Sequence, residues 1–159
     1  MDTKKMLDLL NTQRHDFINH LQVISGFMQI HRETELKHYI QKTADSIAVL
    51  SKVSHLEIPE VSVVLLIAIT RAEMLKIEFI FNVQDNLSGC TLPGDDTAYL
   101  LEELLNNTID RLSVESSLGT KQKVIISITG EPEKGPWQIG IDAPDSVSAI
   151  LLANLEDNN

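Results

Sequence analysis

Apolar residues between positions 4 and 54 recur at α-helical spacing, in a stretch that contains no proline and a single glycine, Gly26. This pattern predicts a first helix from about Lys4 to His31 and a second from about Leu36 to Ser54. The polar segment between them is short enough to turn an antiparallel hairpin. The two apolar faces consist of Met6, Leu10, Phe17, Leu21, Ile24 and Met28, and of Leu36, Tyr39, Ile40, Ile47, Leu50 and Val53.

Beyond Pro59 the chain mixes helical and alternating segments, which glycine and proline separate, and this mixture predicts an α/β domain. We therefore expect an α+β protein with a helical hairpin over residues 1–56 and an α/β domain over residues 57–159. The expected elements are a helix over Val61–Leu75, a strand over Ile77–Val83, a helix over Asp95–Val114, strands over Lys123–Thr129 and Trp137–Ile141 joined across the turn Glu131–Pro136, and a short final helix over Ser146–Leu155.

The apolar surface of the hairpin is too wide for two helices to enclose, since Val23, Phe27 and Ile30 extend it beyond a single stripe. Five large side chains left in water would forfeit about 8–15 kcal/mol, at roughly 1.5–3 kcal/mol each. That sum matches the net stability of a whole domain. Pairing with a second copy into a four-helix bundle removes the exposure, so a homodimer is expected. The alternative is that the second domain covers the surface.

Charge and composition exclude several classes of protein. The net charge of -10 and pI near 4.8 argue against nucleic-acid binding and against an anionic membrane surface. The longest apolar run, Val61 to Ala72, is interrupted by polar residues and shorter than the roughly 20 residues of a membrane-spanning helix. No secretion signal is recognisable, and one cysteine, Cys90, suits a reducing compartment. A cytoplasmic location is expected.

His15 is the residue with the clearest potential chemistry, because it projects roughly 150° away from the centre of the first apolar face. Histidine has an ordinary pKa of about 6.5, so a neutral imidazole near pH 7 is a good nucleophile for a phosphoryl group. An ordinary surface histidine is the alternative. His20 lies at the margin of the apolar face and is expected to pack. The polar side that His15 occupies also carries Asp8, Asn11, Asn19, Gln22, Gly26 and Gln29.

The segment Arg-His-Asp-x-x-Asn-x-Leu-Gln-x-Ile, residues 14–24, resembles the phosphoacceptor segment of the sporulation initiation phosphotransferase B family. It is also similar to that of the related sensor kinases of the citrate/malate type. The resemblance extends to the hairpin, the α/β domain and the approximate length. It implies that His15 accepts the phosphoryl group, that paired hairpins form the bundle, and that response-regulator receiver domains are the partners. It also implies that Mg²⁺ sits on the regulator, so that no cofactor binds tightly to this chain.

The expected site residues around His15 follow from their chemistry. Arg14 is placed to screen the incoming anion, and Asp16 and Asn19 are placed to orient the ring or its phosphorylated form. A glycine lets another protein's backbone approach closely, so the expected partner surface consists of Gln22 and Gly26.

The second domain resembles the ATP-binding domain of sensor kinases in one segment and departs from it in another. Residues 101–110, Leu-Glu-Glu-Leu-Leu-Asn-Asn-Thr-Ile-Asp, resemble the N box, with Glu103 and Asn107 in the places that hold Mg²⁺ and phosphates. An active kinase then has an Asp-x-Gly-x-Gly turn. Residues 142–146, Asp-Ala-Pro-Asp-Ser, keep Asp142 and lack both glycines. We therefore expect a degenerate domain that does not use ATP directly.

The sequence as a whole predicts a histidine phosphotransferase of a phosphorelay, which moves a phosphoryl group between response-regulator aspartates through His15. Two alternatives stay open. One is an autophosphorylating sensor histidine kinase core, and the other is a non-catalytic dimeric adaptor that binds a response regulator. No metal site is expected in the chain itself, because the five histidines are scattered without ligand spacing.

Overall fold

The computed structural model describes residues 3–90, 93–116, 122–130, 137–144 and 149–153. The chain divides into two compact units, Met1–Ser51 and Lys52–Asn159. The first unit is helical, and the described residues of the second form two helices and a four-stranded sheet. The α+β class predicted from the sequence is confirmed.

The first unit is a helical hairpin formed by α1, Thr3–Gln29, and α2, Glu33–Ser54, the last turn of which belongs to the second unit. After α1, His31 adopts a left-handed backbone conformation with φ of 54°, which histidine tolerates better than most side chains. The N–H of Arg32 donates to the Phe27 carbonyl at 3.0 Å and so satisfies a group at the helix end. Backbone hydrogen bonding, and then the Arg32 side chain, lower the pKa of Glu35 in the first turn of α2.

The hairpin has no buried residue of its own among the described residues 3–51. Val53, the one buried residue of α2, lies in the second unit. Apolar side chains along both helices are instead open to solvent in the single chain. Those at least 45% exposed include Leu10, Phe17, Leu21, Met28, Ile40 and Ile47.

The second unit is a sheet with two helices packed against it. In chain order its elements are α3 Pro59–Met74, β1 Ile77–Val83, α4 Gly94–Ser116, β2 Gln122–Thr129, β3 Trp137–Asp142 and β4 Ala149–Ala153. The strands lie side by side in the order β1-β2-β3-β4. β1 and β2 run parallel, with α4 in the connection between them, whereas β2, β3 and β4 pair antiparallel.

The core of the second unit lies between the helices and one face of the sheet. Helical spacing brings four leucine and isoleucine side chains of α4 to this core, and strand alternation brings every second residue of β2. The opposite sheet face is partly open, with Ile125 41% exposed between buried neighbours. The fully or almost fully buried side chains are Leu101, Leu105, Ile109 and Leu112 of α4, and Val124, Ile126 and Ile128 of β2.

The predicted final helix over Ser146–Leu155 is wrong, because the described residues of that segment, Ala149–Ala153, form strand β4. They pair antiparallel with β3, from Ile141 with Ala149 to Trp137 with Ala153. A run of five apolar residues fits a buried strand and a helix equally well, and the free edge of β3 decides in favour of the strand. The predicted pairing of the two preceding strands is confirmed, while the turn Glu131–Pro136 lies outside the described residues.

Leu105 offers a test of this core, since its side chain is 1% exposed. We expect Leu105→Ala to lower the free energy of unfolding of the second unit by about 2–5 kcal/mol, because it leaves a cavity. Val114→Ala, on the same helix but 70% exposed, serves as the control and should change it by less than about 0.5 kcal/mol. Denaturant titration followed by fluorescence of Trp137, the one tryptophan, reports on this unit alone. Equal effects of the two substitutions would contradict the packing described.

Candidate functional site: a histidine on the polar side of the first helix

The candidate site lies on the polar side of α1, where an uninterrupted helix holds His15 about midway between its ends. The His15 side chain is 73% exposed, as its position relative to the apolar face predicts. Asn19 and Gln22 follow it on the same side, one and two turns further along, and both are exposed. The imidazole is therefore accessible to a second macromolecule without any rearrangement of the hairpin.

The ring of His15 is held by one hydrogen bond, between its Nδ1 and the side-chain Nδ2 of Asn19 at 3.0 Å. Asp16 approaches the same nitrogen only to 3.9 Å, which is beyond hydrogen-bonding distance. Arg14 donates to Oδ1 of Asn11 at 2.9 Å, so its guanidinium is held one turn towards the N-terminus. Of the three predicted neighbours, the structure thus brings Asn19 into contact with the ring.

The outer nitrogen of the ring, Nε2, has no hydrogen-bonding partner within the part of the chain that the structure describes. Because Nδ1 faces Asn19, Nε2 is the nitrogen left for a reaction partner. Nε2 can attack phosphorus in line when the ring proton is on Nδ1, and the Asn19 carboxamide pairs with that tautomer when its Oδ1 faces the ring.

Gly26 lies further along α1, where a glycine within a helix costs about 0.5–1 kcal/mol relative to alanine. A Cβ atom added at Gly26 would meet no other atom within 4 Å. The chain itself therefore gives no steric reason for a glycine at this position, which leaves an open surface beyond His15 on the helix.

His20 has a different environment from His15. Its Nδ1 lies 2.7 Å from the Tyr39 hydroxyl, and the two rings are in tilted contact with centroids 5.8 Å apart. Phe27 also packs against Tyr39, with the two ring centroids 6.0 Å apart. His20 therefore joins the two helices, as the sequence pattern predicts for a histidine at the margin of the apolar face.

The three residues of the predicted nucleotide-binding remnant do not come together. Glu103 and Asn107 are exposed on the outer side of α4, opposite the leucines that face the core. Asp142 ends β3, where alternation places it on the sheet face opposite buried Ile141. Because α4 packs against the other face of the sheet, the sheet separates Asp142 from Glu103 and Asn107.

Arg71 of α3 makes contacts with this segment of α4 that the sequence did not indicate. Its guanidinium donates to Oδ1 of Asn106 at 2.6 Å and to the carboxylate of Asp110. These partners are 35 and 39 residues away, so no local pattern predicts the contact. Two polar side chains of the segment that resembles the N box thus connect α4 with α3.

Among the described residues, no group of three or more histidine, cysteine, aspartate or glutamate side chains is arranged to hold a metal ion. None of the helices described is long and apolar enough to cross a membrane.

The sequence of the hairpin matches a known protein family. Residues 1–56 match the family model described as Sensor kinase SpoOB-type, alpha-helical domain. The match ends within the first residues of the second unit, and no curated protein matches the chain. The resemblance predicted from residues 14–24 is confirmed for residues 1–56, which are similar to the alpha-helical domain of SpoOB-type sensor kinases.

Proposed function

We propose that this chain is a histidine phosphotransferase of a phosphorelay, in which His15 carries a phosphoryl group between aspartates of response-regulator receiver domains. One observation carries the proposal. On a SpoOB-type domain, the histidine of the family motif is 73% exposed and is held through Nδ1, so that Nε2 is open to a partner. The proposal includes a cytoplasmic location, with which a single cysteine is consistent.

The reaction needs little from this chain beyond a positioned nucleophile. The lone pair of His15 Nε2 attacks the phosphorus of an aspartyl phosphate, and the regulator's carboxylate leaves with the electrons of the broken P–O bond. A second regulator reverses the step with its own carboxylate. Acidic residues of the receiver domain would hold the Mg²⁺ that neutralises the phosphoryl oxygens. Arg14, one residue from His15, adds a positive charge beside the incoming anion.

The proposed active form is a homodimer in which two hairpins make a four-helix bundle. The hairpin exposes a row of large apolar side chains on α1 at offsets of three, four and seven residues, which is the pattern of a bundle interface. His15 projects from the opposite side of α1, so pairing through the apolar face leaves both imidazoles accessible. The bundle then presents two equivalent phosphoacceptor sites.

The second unit is proposed to support the hairpin as a degenerate kinase-like domain rather than to supply the phosphoryl group. The sheet lies between Asp142 and the two α4 residues Glu103 and Asn107. Arg71 of α3 binds two further polar residues of α4, Asn106 and Asp110. Pro144 stands where an active kinase has the first glycine of its Asp-x-Gly-x-Gly turn, and it lacks a backbone N–H donor. ATP is therefore not proposed as the direct donor.

The reaction class and the residue can be tested together by incubating the protein with a phosphorylated response regulator. We expect the wild-type chain to acquire an acid-labile phosphoryl group, and His15→Ala to abolish labelling because no other nucleophile occupies that place. His20→Ala and His38→Ala, with helix content checked by circular dichroism, should still be labelled. Equal labelling of His15→Ala and the wild type would contradict the assignment.

A parallel incubation with labelled ATP and Mg²⁺ separates the proposal from the two alternatives. Labelling of His15 without any regulator would identify an autophosphorylating kinase core. A stable complex with a regulator that is insensitive to His15→Ala, together with no phosphoryl transfer, would identify an adaptor. The proposal expects labelling from the regulator alone.

Leu21 tests the homodimer, because its side chain is 51% exposed on the apolar face of α1. Leu21→Asp would bury a charge without a partner at the proposed interface, at a cost of several kcal/mol. We therefore expect the variant to sediment as a monomer at micromolar concentration while the wild type sediments as a dimer. Gln22→Asp, the adjacent change on the polar side, should remain dimeric. A monomeric wild type would refute the bundle.

Gly26→Ala tests whether the surface beyond His15 is the docking site of the regulator. The substitution fits the open space and should stabilise the hairpin by about 0.5–1 kcal/mol. A partner's backbone packed on the glycine would meet the new methyl group, so we expect slower transfer from the phosphorylated regulator despite the greater stability. The control is His38→Ala, which also raises helix propensity but lies on exposed α2. Unaltered transfer rates in Gly26→Ala would place the docking site elsewhere.

A further inference from the structure

We propose that the free edge of strand β1 is a self-association surface, on which β1 of a second copy of this chain pairs antiparallel about a two-fold axis at Ile80. The surface belongs to the second unit, so the proposal goes beyond phosphotransfer and does not depend on it. It rests on two observations. β1 lies at the edge of the sheet formed by the described residues, and its residue types are symmetrical about its centre.

β1 is an edge strand whose sequence carries none of the usual protections. In the order β1-β2-β3-β4, β2 pairs with one side of β1, and no described strand pairs with the other. Proteins commonly protect such an edge with proline, lysine or a bulge, because its unpaired backbone groups accept a strand of another chain. Residues 77–83 contain no proline or lysine, and their register with β2 is unbroken. Their one charge, on Glu78, faces Lys123 of β2 at 3.6 Å.

The backbone groups at the free edge follow from the hydrogen bonds on the other side of the strand. The N–H of Gln84, directly after β1, donates to the carbonyl of Ile128 at 2.9 Å and so points towards β2. Successive residues of a strand direct their N–H and C=O groups to opposite sides, so those of Glu78, Ile80 and Asn82 also point towards β2. The remaining residues of β1 direct theirs to the free edge: Ile77, Phe79, Phe81 and Val83.

The side chains of β1 select one register for a second copy. With the axis at Ile80, apolar, polar and aromatic positions each lie opposite their own kind, and no like charges oppose each other. Moving the axis to Phe79 or Phe81 would place Ile80 opposite a polar side chain. The facing pairs are Ile77 with Val83, Glu78 with Asn82, Phe79 with Phe81, and Ile80 with its own copy.

The backbone geometry allows this register. Antiparallel strands alternate between facing pairs that exchange two hydrogen bonds and facing pairs that exchange none. Phe79 and Phe81 direct their backbone groups to the free edge, so they form a pair of the first kind. Ile80 meets its copy in a pair of the second kind, where side chains lie closest.

The pairing would also cover apolar surface on both sides of the sheet. On the open face, Ile80 is 38% exposed and lies beside Ile125 of β2, which is 41% exposed. A second copy would extend these two into a row of four isoleucines. On the other face, Phe79 and Phe81 are only partly buried, and their rings lie 6.2 Å apart. Each ring would gain an aromatic neighbour across the axis.

One pair of strands makes a small interface, so the association is expected to be weak. Interfaces that bury less than about 1,200 Å² are typical of transient complexes. A dissociation constant of about 0.1–1 mM is therefore expected. Pairing of this strength leaves the association of the hairpins as the one observed at micromolar concentration.

Disulfide trapping tests the pairing in the full chain, with Cys90→Ser as the background so that no native thiol interferes. Cβ atoms of a facing pair lie about 4.5–5.5 Å apart, close to their separation in a disulfide. At about 100 µM under mild oxidation, we expect Ile80→Cys to form a covalent dimer about tenfold faster than Ile125→Cys. This control has similar exposure but lies one strand further from the edge. Equal rates would overturn the proposal.

A second pair of variants tests the register and leaves the apolar centre unchanged. Residues 78 and 82 face each other only across the proposed axis. A mixture of the Glu78→Cys and Asn82→Cys proteins should therefore form mixed disulfides about tenfold faster than either protein forms its own. The masses of the linked species distinguish the two products. Self-linked dimers that form as fast as mixed ones would overturn the symmetrical pairing. An edge that instead takes a strand of a different protein would leave all of these variants unlinked, which would refute a second copy as the occupant.

Discussion

The need of the hairpin to cover an apolar face is the constraint on which the rest depends. α1 contains no buried residue, although Leu10, Phe17 and Leu21 are large and lie on one side. A helix of this kind gains its stability from whatever packs against that side. The opposite side of α1 is therefore exposed to solvent, and His15 lies on that side. Exposure of His15 is a consequence of the binary pattern and requires no separate pocket.

A reactive group on a bare helix differs in kind from one in a cleft. The helix backbone fixes the position of His15, and a single side chain one turn away fixes the ring. Nothing in the described part of the chain encloses a substrate, so the proposed chemistry is divided between two proteins. This division suits a relay, because an exposed imidazole can serve successive partners that each bring their own aspartate and metal ion. Gly26 contributes an open surface rather than a contact.

Local patterns predicted most of the fold, and tertiary contacts account for what they missed. The strand Ile77–Val83 has the predicted bounds because its alternation is strong and its limits are marked by flanking residues. The strand Ala149–Ala153 was predicted as helix, since the edge of β3 that selects it lies outside the apolar run itself. The contact between His15 and Asn19 joins residues four apart and follows from helix geometry. The contacts of Arg71 with α4 cross two helices and have no local signature.

Tertiary contacts also explain the segment of α4 that resembles a nucleotide-binding helix, residues 101–110. In the second unit this segment has a structural role. Asn106 and Asp110 bind Arg71 of α3, and the core-facing leucines of α4 cover the sheet. Glu103 and Asn107 face solvent on the opposite side of α4, with no glycine-rich turn in residues 142–146. Under the proposed function, this segment of α4 is kept for its packing, because Asn106 and Asp110 bind Arg71 of α3 and the leucines of α4 cover the sheet.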